Sequence, residues 1–198
     1  MKHLAFLMAG ILSALSLGAQ APSGAAPQED LDAQYATDLL APGTVAPDFS
    51  LKDLEGNTVA FSSFQGKTVV LVFWASWCPD CRAEVPELKA MAAAADPDKV
   101  SFVSVSFDRS FDTLVSFARE NALPGVQLFD AAGKKDSAVG AAYHVKWIPS
   151  LYVINPEGRV VLGTVVAAKV AALLSGDTEA PAGLVLPRNL CTDESCAL

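Results

Sequence analysis

The run Thr68-Val69-Val70-Leu71-Val72-Phe73-Trp74 is almost wholly apolar and rich in β-branched residues. Such a run suits a central strand buried on both faces, because every pleat position then meets protein rather than water. The chain that carries it must cover a sheet on both sides, which constrains the fold more than any other feature. It is followed at once by Ala75-Ser76-Trp77-Cys78-Pro79-Asp80-Cys81, two thiols three positions apart where the strand gives way to a helix. Pro79 is acceptable in a first helical turn because its missing N–H leaves nothing unbonded there.

That placement is suited to disulfide exchange. At a helix N-terminus the free N–H groups and the positive end of the dipole favour the thiolate of Cys78. Cys81, one turn on, shares its face and is expected to be more shielded, so Cys78 attacks and Cys81 resolves. Two plainer readings compete. A C-x-x-C can be half of a zinc site, for which the other ligands would have to come from His3, His144, Cys191 and Cys196. It can also be a structural bridge, although closing so short a loop removes little chain entropy.

The compartment decides how four cysteines are read. Lys2 precedes an apolar run from Leu4 to about Ala19, too short to span a membrane and followed by the small residues of Ala19-Gln20-Ala21. This pattern is a secretory signal peptide over residues 1–21, with an uncleaved N-terminal anchor as the alternative. Export to an oxidising compartment permits stable disulfides. Residues 22–41 read as a linker rich in Pro, Ala, Ser and Gly that ends in a short acidic helix from Glu29 to Leu40. A net charge of −8 argues against nucleic acid or anionic membrane as a partner.

Residues 42–175 read as one domain. Ala46 to Leu51 suggests an edge strand, Asp53-Leu54-Glu55-Gly56-Asn57 a turn, and Thr58 to Phe61 a returning strand. Then follow strand Thr68 to Ala75, helix Pro79 to Ala95 with a kink at Pro86, strand Val100 to Phe107, and helix Ser110 to Asn121. A strand at Val126 to Phe129, a helical piece from Asp136 to Tyr143, strands Ser150 to Ile154 and Arg159 to Gly163, and a last helix from Thr164 to Leu174 complete the pattern. Strands alternating with helices and ending in a hairpin predict an α/β sandwich with a mixed sheet. Residues 176–198 read as an irregular tail, in which Cys191 and Cys196 are most simply a local structural disulfide; a second redox pair relaying electrons to or from Cys78 is the alternative.

The motifs Ala46-Pro47-Asp48-Phe49, Phe73 to Pro86 and Trp147-Ile148-Pro149-Ser150 together resemble extracytoplasmic thioredoxin-like proteins, the thiol-disulfide oxidoreductases of the TlpA and ResA group. The resemblance spans about Pro42 to Leu174. It implies a thioredoxin-like three-layer α/β/α sandwich with a mixed central sheet and an N-terminal β-hairpin extension. It implies a cis Ile148–Pro149 bond facing the thiols, where exposed backbone lets an extended substrate segment add as a strand. It also implies Glu84 as proton acceptor for Cys81, since Val72 stands where cytoplasmic thioredoxins carry a buried aspartate. Trp77, Pro79, Asp80 and Ile148 are then the substrate-contacting residues, and Trp74 is core.

The expected activity is reduction of protein disulfides in the periplasm without a cofactor or metal, because Asp80 opposes the strong thiolate stabilisation that oxidants need. The expected partners are a disulfide-containing protein, apocytochrome c among the candidates, and a membrane electron donor that rereduces the site. Nothing in the sequence suggests an obligate assembly, so a monomer is expected. Two other functions stay open. A copper carrier would use Cys78, Cys81 and His144. A thiol peroxidase would share the Ala-Pro-Asp-Phe motif, but needs Thr or Ser three residues before its cysteine, where this chain has Ala75.

Overall fold

A computed structural model describes residues 30–176. The expected leader, residues 22–29 of the expected linker, and the cysteines Cys191 and Cys196 lie outside the described residues. The strands are β1 (Ser50–Asp53), β2 (Thr58–Ala60), β3 (Thr68–Trp74), β4 (Val100–Ser106), β5 (Val126–Phe129), β6 (Ser150–Ile154) and β7 (Val160–Thr164). The helices are α1 (Leu31–Tyr35), α2 (Pro79–Ala83), α3 (Val85–Ala94), α4 (Phe111–Glu120), α5 (Gly133–Asp136), α6 (Ala138–Ala142) and α7 (Ala167–Ser175). One mixed sheet runs in the order β2-β1-β5-β4-β3-β6-β7. Its centre is β3, buried at every residue, parallel to β4 and antiparallel to β6.

The alternation of side chains along β3 divides the core. Phe73 meets Phe107, Tyr143 and Tyr152 on one face, where Phe49 and Phe61 extend the aromatic cluster under α6. Trp74 points to the other face and packs on Phe117 of α4. There α3 is tied to α4 by Lys89 Nζ donating to the Asn121 carbonyl at 3.0 Å. The result is the thioredoxin-like α/β/α sandwich with an N-terminal hairpin. Among the described residues, no helix is long and apolar enough to cross a membrane.

Several boundaries differ from the sequence reading for local reasons. The first strand begins at Ser50, not Ala46, and is not the edge: β2 covers it on one side and β5 on the other. Phe61 leaves the hairpin and opens a 3-10 turn over Phe61–Phe64, which turns its ring into the core. The long helix divides at Glu84, where Pro86 can enter the first turn of α3 without losing a bond. The helical piece expected from Asp136 divides at Ser137, whose Oγ caps α6 by accepting the Gly140 N–H at 2.6 Å. Thr164 closes β7 instead of opening a helix, and α7 starts at Ala167. Helix α1 is shorter than the acidic stretch, and is held by Asp32, which accepts from the Thr164 hydroxyl and the Val165 N–H, both at 2.8 Å.

Tyr152 joins the two halves of the aromatic cluster to the N-terminal segment. Its hydroxyl donates to the Tyr143 carbonyl at 2.5 Å and accepts from the Leu40 N–H at 3.0 Å. Replacing it by phenylalanine leaves both backbone groups without that partner and should cost about 2 kcal/mol, read as a lower urea midpoint with an unchanged slope. Burial also pushes the Tyr152 hydroxyl up to about 12. A raised value in the folded state means that the native protein holds the proton longer. Its contribution is therefore present below about pH 10 and is lost as pH rises through about 12. Tyr152→Phe should accordingly lose less stability between those values than the wild type does.

Candidate active site

Strand β3 ends at Trp74, and the loop that follows is pinned before it reaches the thiols. Ser76 donates through its backbone N–H (3.0 Å) and its hydroxyl (2.7 Å) to Oδ1 of Asp108. The other carboxylate oxygen accepts from Ser106 Oγ at 2.8 Å. Asp108 is almost wholly buried, and these charge-assisted bonds satisfy it. The sequence reading overlooked it; its only signal was a Ser-x-Asp pattern just past a buried strand.

The loop delivers Cys78 to the N-cap of α2. Its sulfur accepts the Cys81 N–H at 3.4 Å and lies 3.5 Å from the Ile148 carbonyl, towards which the thiol donates. The Ile148–Pro149 bond is cis. The structure therefore brings Cys78, Cys81, Ile148 and Pro149 together, with Pro79 and Asp80 exposed beside them. Both cysteines are free thiols. The expected contrast in shielding is small: Cys78 keeps 5% of its surface and Cys81 3%. Their surroundings distinguish them instead. Burial, followed by the neighbouring Cys78, pushes the Cys81 thiol well above the ordinary range.

Glu84 sits at the junction of α2 and α3, half-buried, and lines one small cavity with Cys81. Burial, then the charges of Glu87 and Asp80, raise its carboxyl above the ordinary carboxylate value. Trp77 lies at the surface next to Cys78. It is 52% exposed, its Nε1 reaches the Phe107 carbonyl at 3.4 Å, and it opens onto a groove with Arg109, Lys134 and Lys135 that neither sulfur lines. His144 is turned away to the Asp38 carbonyl, 2.9 Å from its Nδ1. Among the described residues no three His, Cys, Asp or Glu side chains gather as a metal site, so the trio Cys78, Cys81 and His144 is not assembled. A contact that sequence reasoning missed flanks the site: Tyr35 of α1 stacks on Trp147, with centroids 4.4 Å apart, and Lys146 pairs with Asp38 at 2.9 Å.

Paired thiols at a helix start, on a sheet of this order, define the thioredoxin-like class. The chain belongs to the AhpC/TSA family, whose sequence model matches residues 42–162, more than half its length. It is 34% identical to the thiol-disulfide oxidoreductase ResA of Oceanobacillus iheyensis over 60% of this chain and 62% of that protein, and so spans less than two thirds of that relative. It is 36% identical to the soluble secreted antigen MPT53 of Mycobacterium tuberculosis over 59% of this chain and 66% of that one. The crystal structure of the thioredoxin domain of a thiol-disulfide oxidoreductase from Bacteroides vulgatus superposes with a TM-score of 0.64 at 28% identity, covering 71% of this chain and 99% of that one.

Proposed function

We propose that the protein is an extracytoplasmic thiol-disulfide oxidoreductase that reduces protein disulfides. The observation that carries this reading is the Cys78 sulfur, held between the Cys81 N–H and the Ile148 backbone at the edge of the site. In the proposed reaction Cys78 thiolate attacks a substrate disulfide, one substrate sulfur leaves as thiolate, and a mixed disulfide remains. Cys81, deprotonated by Glu84, then attacks Cys78, and the second substrate sulfur leaves. The protein ends oxidised and the substrate reduced by two electrons. The Cys81 N–H bonded to the Cys78 sulfur stabilises negative charge there, whereas the raised Cys81 thiol keeps its proton until a base is at hand.

Exposed Pro79 and Asp80, beside the backbone of the buried Ile148, support a contact surface for an extended substrate segment. The negative charge of Asp80 supports the reducing direction. The kinship with ResA and with a secreted antigen supports an extracytoplasmic setting, in which a membrane electron donor rereduces the pair and apocytochrome c is a candidate substrate. The proposal is tested by incubating the reduced protein with insulin and following chain separation, and by equilibrating the pair with glutathione. The expected reduction potential lies nearer the thioredoxin value of about −270 mV than the oxidant value of about −120 mV; the latter would reverse the assigned direction.

Glu84→Gln should slow release of substrate from the mixed disulfide by about a hundredfold at pH 7 and leave capture by Cys78 nearly unchanged. The same substitution should raise stability at pH 7. The raised carboxyl holds its proton longer when folded, so the stability it contributes is full below its unfolded value and is lost as pH rises. Urea midpoints of the two proteins should therefore diverge above about pH 5 and converge near about pH 3. Parallel midpoints across that range would remove Glu84 from a desolvated site.

A further inference from the structure

Beside Trp77 an open groove of about 370 Å³ runs between the segment after β4 and helix α5, lined by Trp77, Phe107, Asp108, Arg109, Lys134 and Lys135, among others. It gathers three of the chain's 14 lysine and arginine residues, in a protein whose net charge is −8. Among its lining residues the one carboxylate is Asp108, which is almost wholly buried and already accepts from Ser76 and Ser106. Lys134 is engaged as well: its Nζ donates to the Lys146 carbonyl at 2.7 Å and ties α5 to the segment that leads into Ile148 and Pro149. Arg109 and Lys135 are exposed, and among the described residues neither pairs with an acid, the exposed Asp136 beside Lys135 included. Trp77 supplies an apolar wall, oriented by its Nε1 at the Phe107 carbonyl. A large aromatic left at the surface beside unpaired cations has the composition of an interface, where aromatic side chains and arginine are enriched.

We propose that this groove selects protein substrates whose disulfide is flanked by acidic side chains, with Arg109 and Lys135 pairing the carboxylates and Trp77 packing on the chain between them and the captured cysteine. The inference rests on the reductase assignment and names its substrate class. Charge complementarity carries it. An acidic partner is repelled by the chain as a whole, but at physiological salt charges more than about 8 Å apart are largely screened, whereas a carboxylate seated in the groove lies at ion-pair distance. The guanidinium of Arg109 offers a two-pronged bond to a carboxylate, and the ammonium of Lys135 a point charge. Position supports it too. Trp77 directly precedes Cys78, so a substrate held at the Cys78 sulfur needs only a few residues, at about 3.3 Å each, to bring its acids over the groove. Asp108 holds the active-site loop through Ser76 and directly precedes Arg109, which couples the groove to the thiols. The chemistry is unchanged: two electrons pass from the thiol pair to the substrate disulfide, and the substrate leaves with two thiols.

The test uses two synthetic peptides, each closed by one disulfide and identical except that the residues flanking each cysteine are glutamate in one and glutamine in the other. Pre-reduced protein is mixed with each in a single turnover, and the second-order rate constant is read by acid quench and chromatography. The wild type should reduce the glutamate peptide about tenfold faster at about 20 mM salt, and the preference should shrink to about twofold at about 0.5 M. In Arg109→Gln/Lys135→Gln the ratio of the two rates should fall towards one, and in Arg109→Glu/Lys135→Glu it should invert. Each protein is its own reference, so a general loss of activity cancels. Lys135→Gln alone should carry part of the fall; a fall confined to the variants of Arg109 would trace to the adjoining Asp108 anchor and overturn the groove. An unchanged ratio in both double variants overturns it as well. A wild-type ratio of about one overturns the groove and leaves the reductase assignment standing, whereas a wild type that reduces neither peptide nor insulin removes that assignment too.

Discussion

Cys81→Ser is expected to accumulate covalent complexes with substrate. Cys78 keeps the N-cap of α2, and its contact with the Ile148 carbonyl is independent of the Cys81 sulfur, so capture proceeds. Release then depends on thiols from solution. An intramolecular sulfur has the advantage of a high effective concentration, and its loss should slow release by a factor of about 10³ or more. On a non-reducing gel the variant should carry adducts that disappear with reductant and are missing from Cys78→Ser/Cys81→Ser. If the single variant yields no adducts while the wild type turns over insulin, the roles of attacker and resolver are wrongly assigned. The adducts also identify the substrate, which no surface motif of the chain specifies.

Gly125→Ala is expected to be the most damaging single methyl in the fold. Gly125 has φ +71° just before β5, and a Cβ built there stands 2.1 Å from the Phe102 carbonyl oxygen and 2.6 Å from the Phe102 Cβ. Left-handed backbone costs an alanine about 1–2 kcal/mol. Relieving the clash means moving β5 away from β4, whose Val103 pairs with Val126, at a further cost of about 1–3 kcal/mol. The sum, about 2–5 kcal/mol, is a large share of the roughly 5–15 kcal/mol that stabilises a domain. Gly56→Ala is the control, because it has φ +83° and open space around its Cβ. Its denaturation midpoint should fall by the backbone share alone; equal shifts in the two variants would show that the close approach to Phe102 contributes nothing.

Legibility in the sequence followed the range of the interaction. The buried strand Thr68 to Trp74, the turn at Gly56 and the helix starts at Ser110 and Cys78 depend on neighbours a few residues away, and each lies within a residue of where its pattern implies. Cys78 and Cys81 were legible for the same reason. Pro149 and Glu84 were legible only through resemblance, since a proline before a strand and a glutamate on a helix are ordinary by themselves. Asp108 and Tyr35 carried no usable signal. Asp108 acts across 32 residues on Ser76, and Tyr35 reaches Trp147 from the opposite end of the chain.

Local pattern thus determined the dithiol at the end of a doubly covered strand, because spacing and side-chain type set the strand, the turn and the helix start without help from distant residues. Tertiary structure alone decided which groups surround the sulfurs. The Ile148 carbonyl against Cys78, the Asp108 anchor under the loop and the cavity shared by Cys81 and Glu84 arise where β3, β4, β5 and β6 lie side by side. Hydrogen bonds and desolvation act over a few ångströms of space, and sequence distance carries no information about them until the sheet has closed.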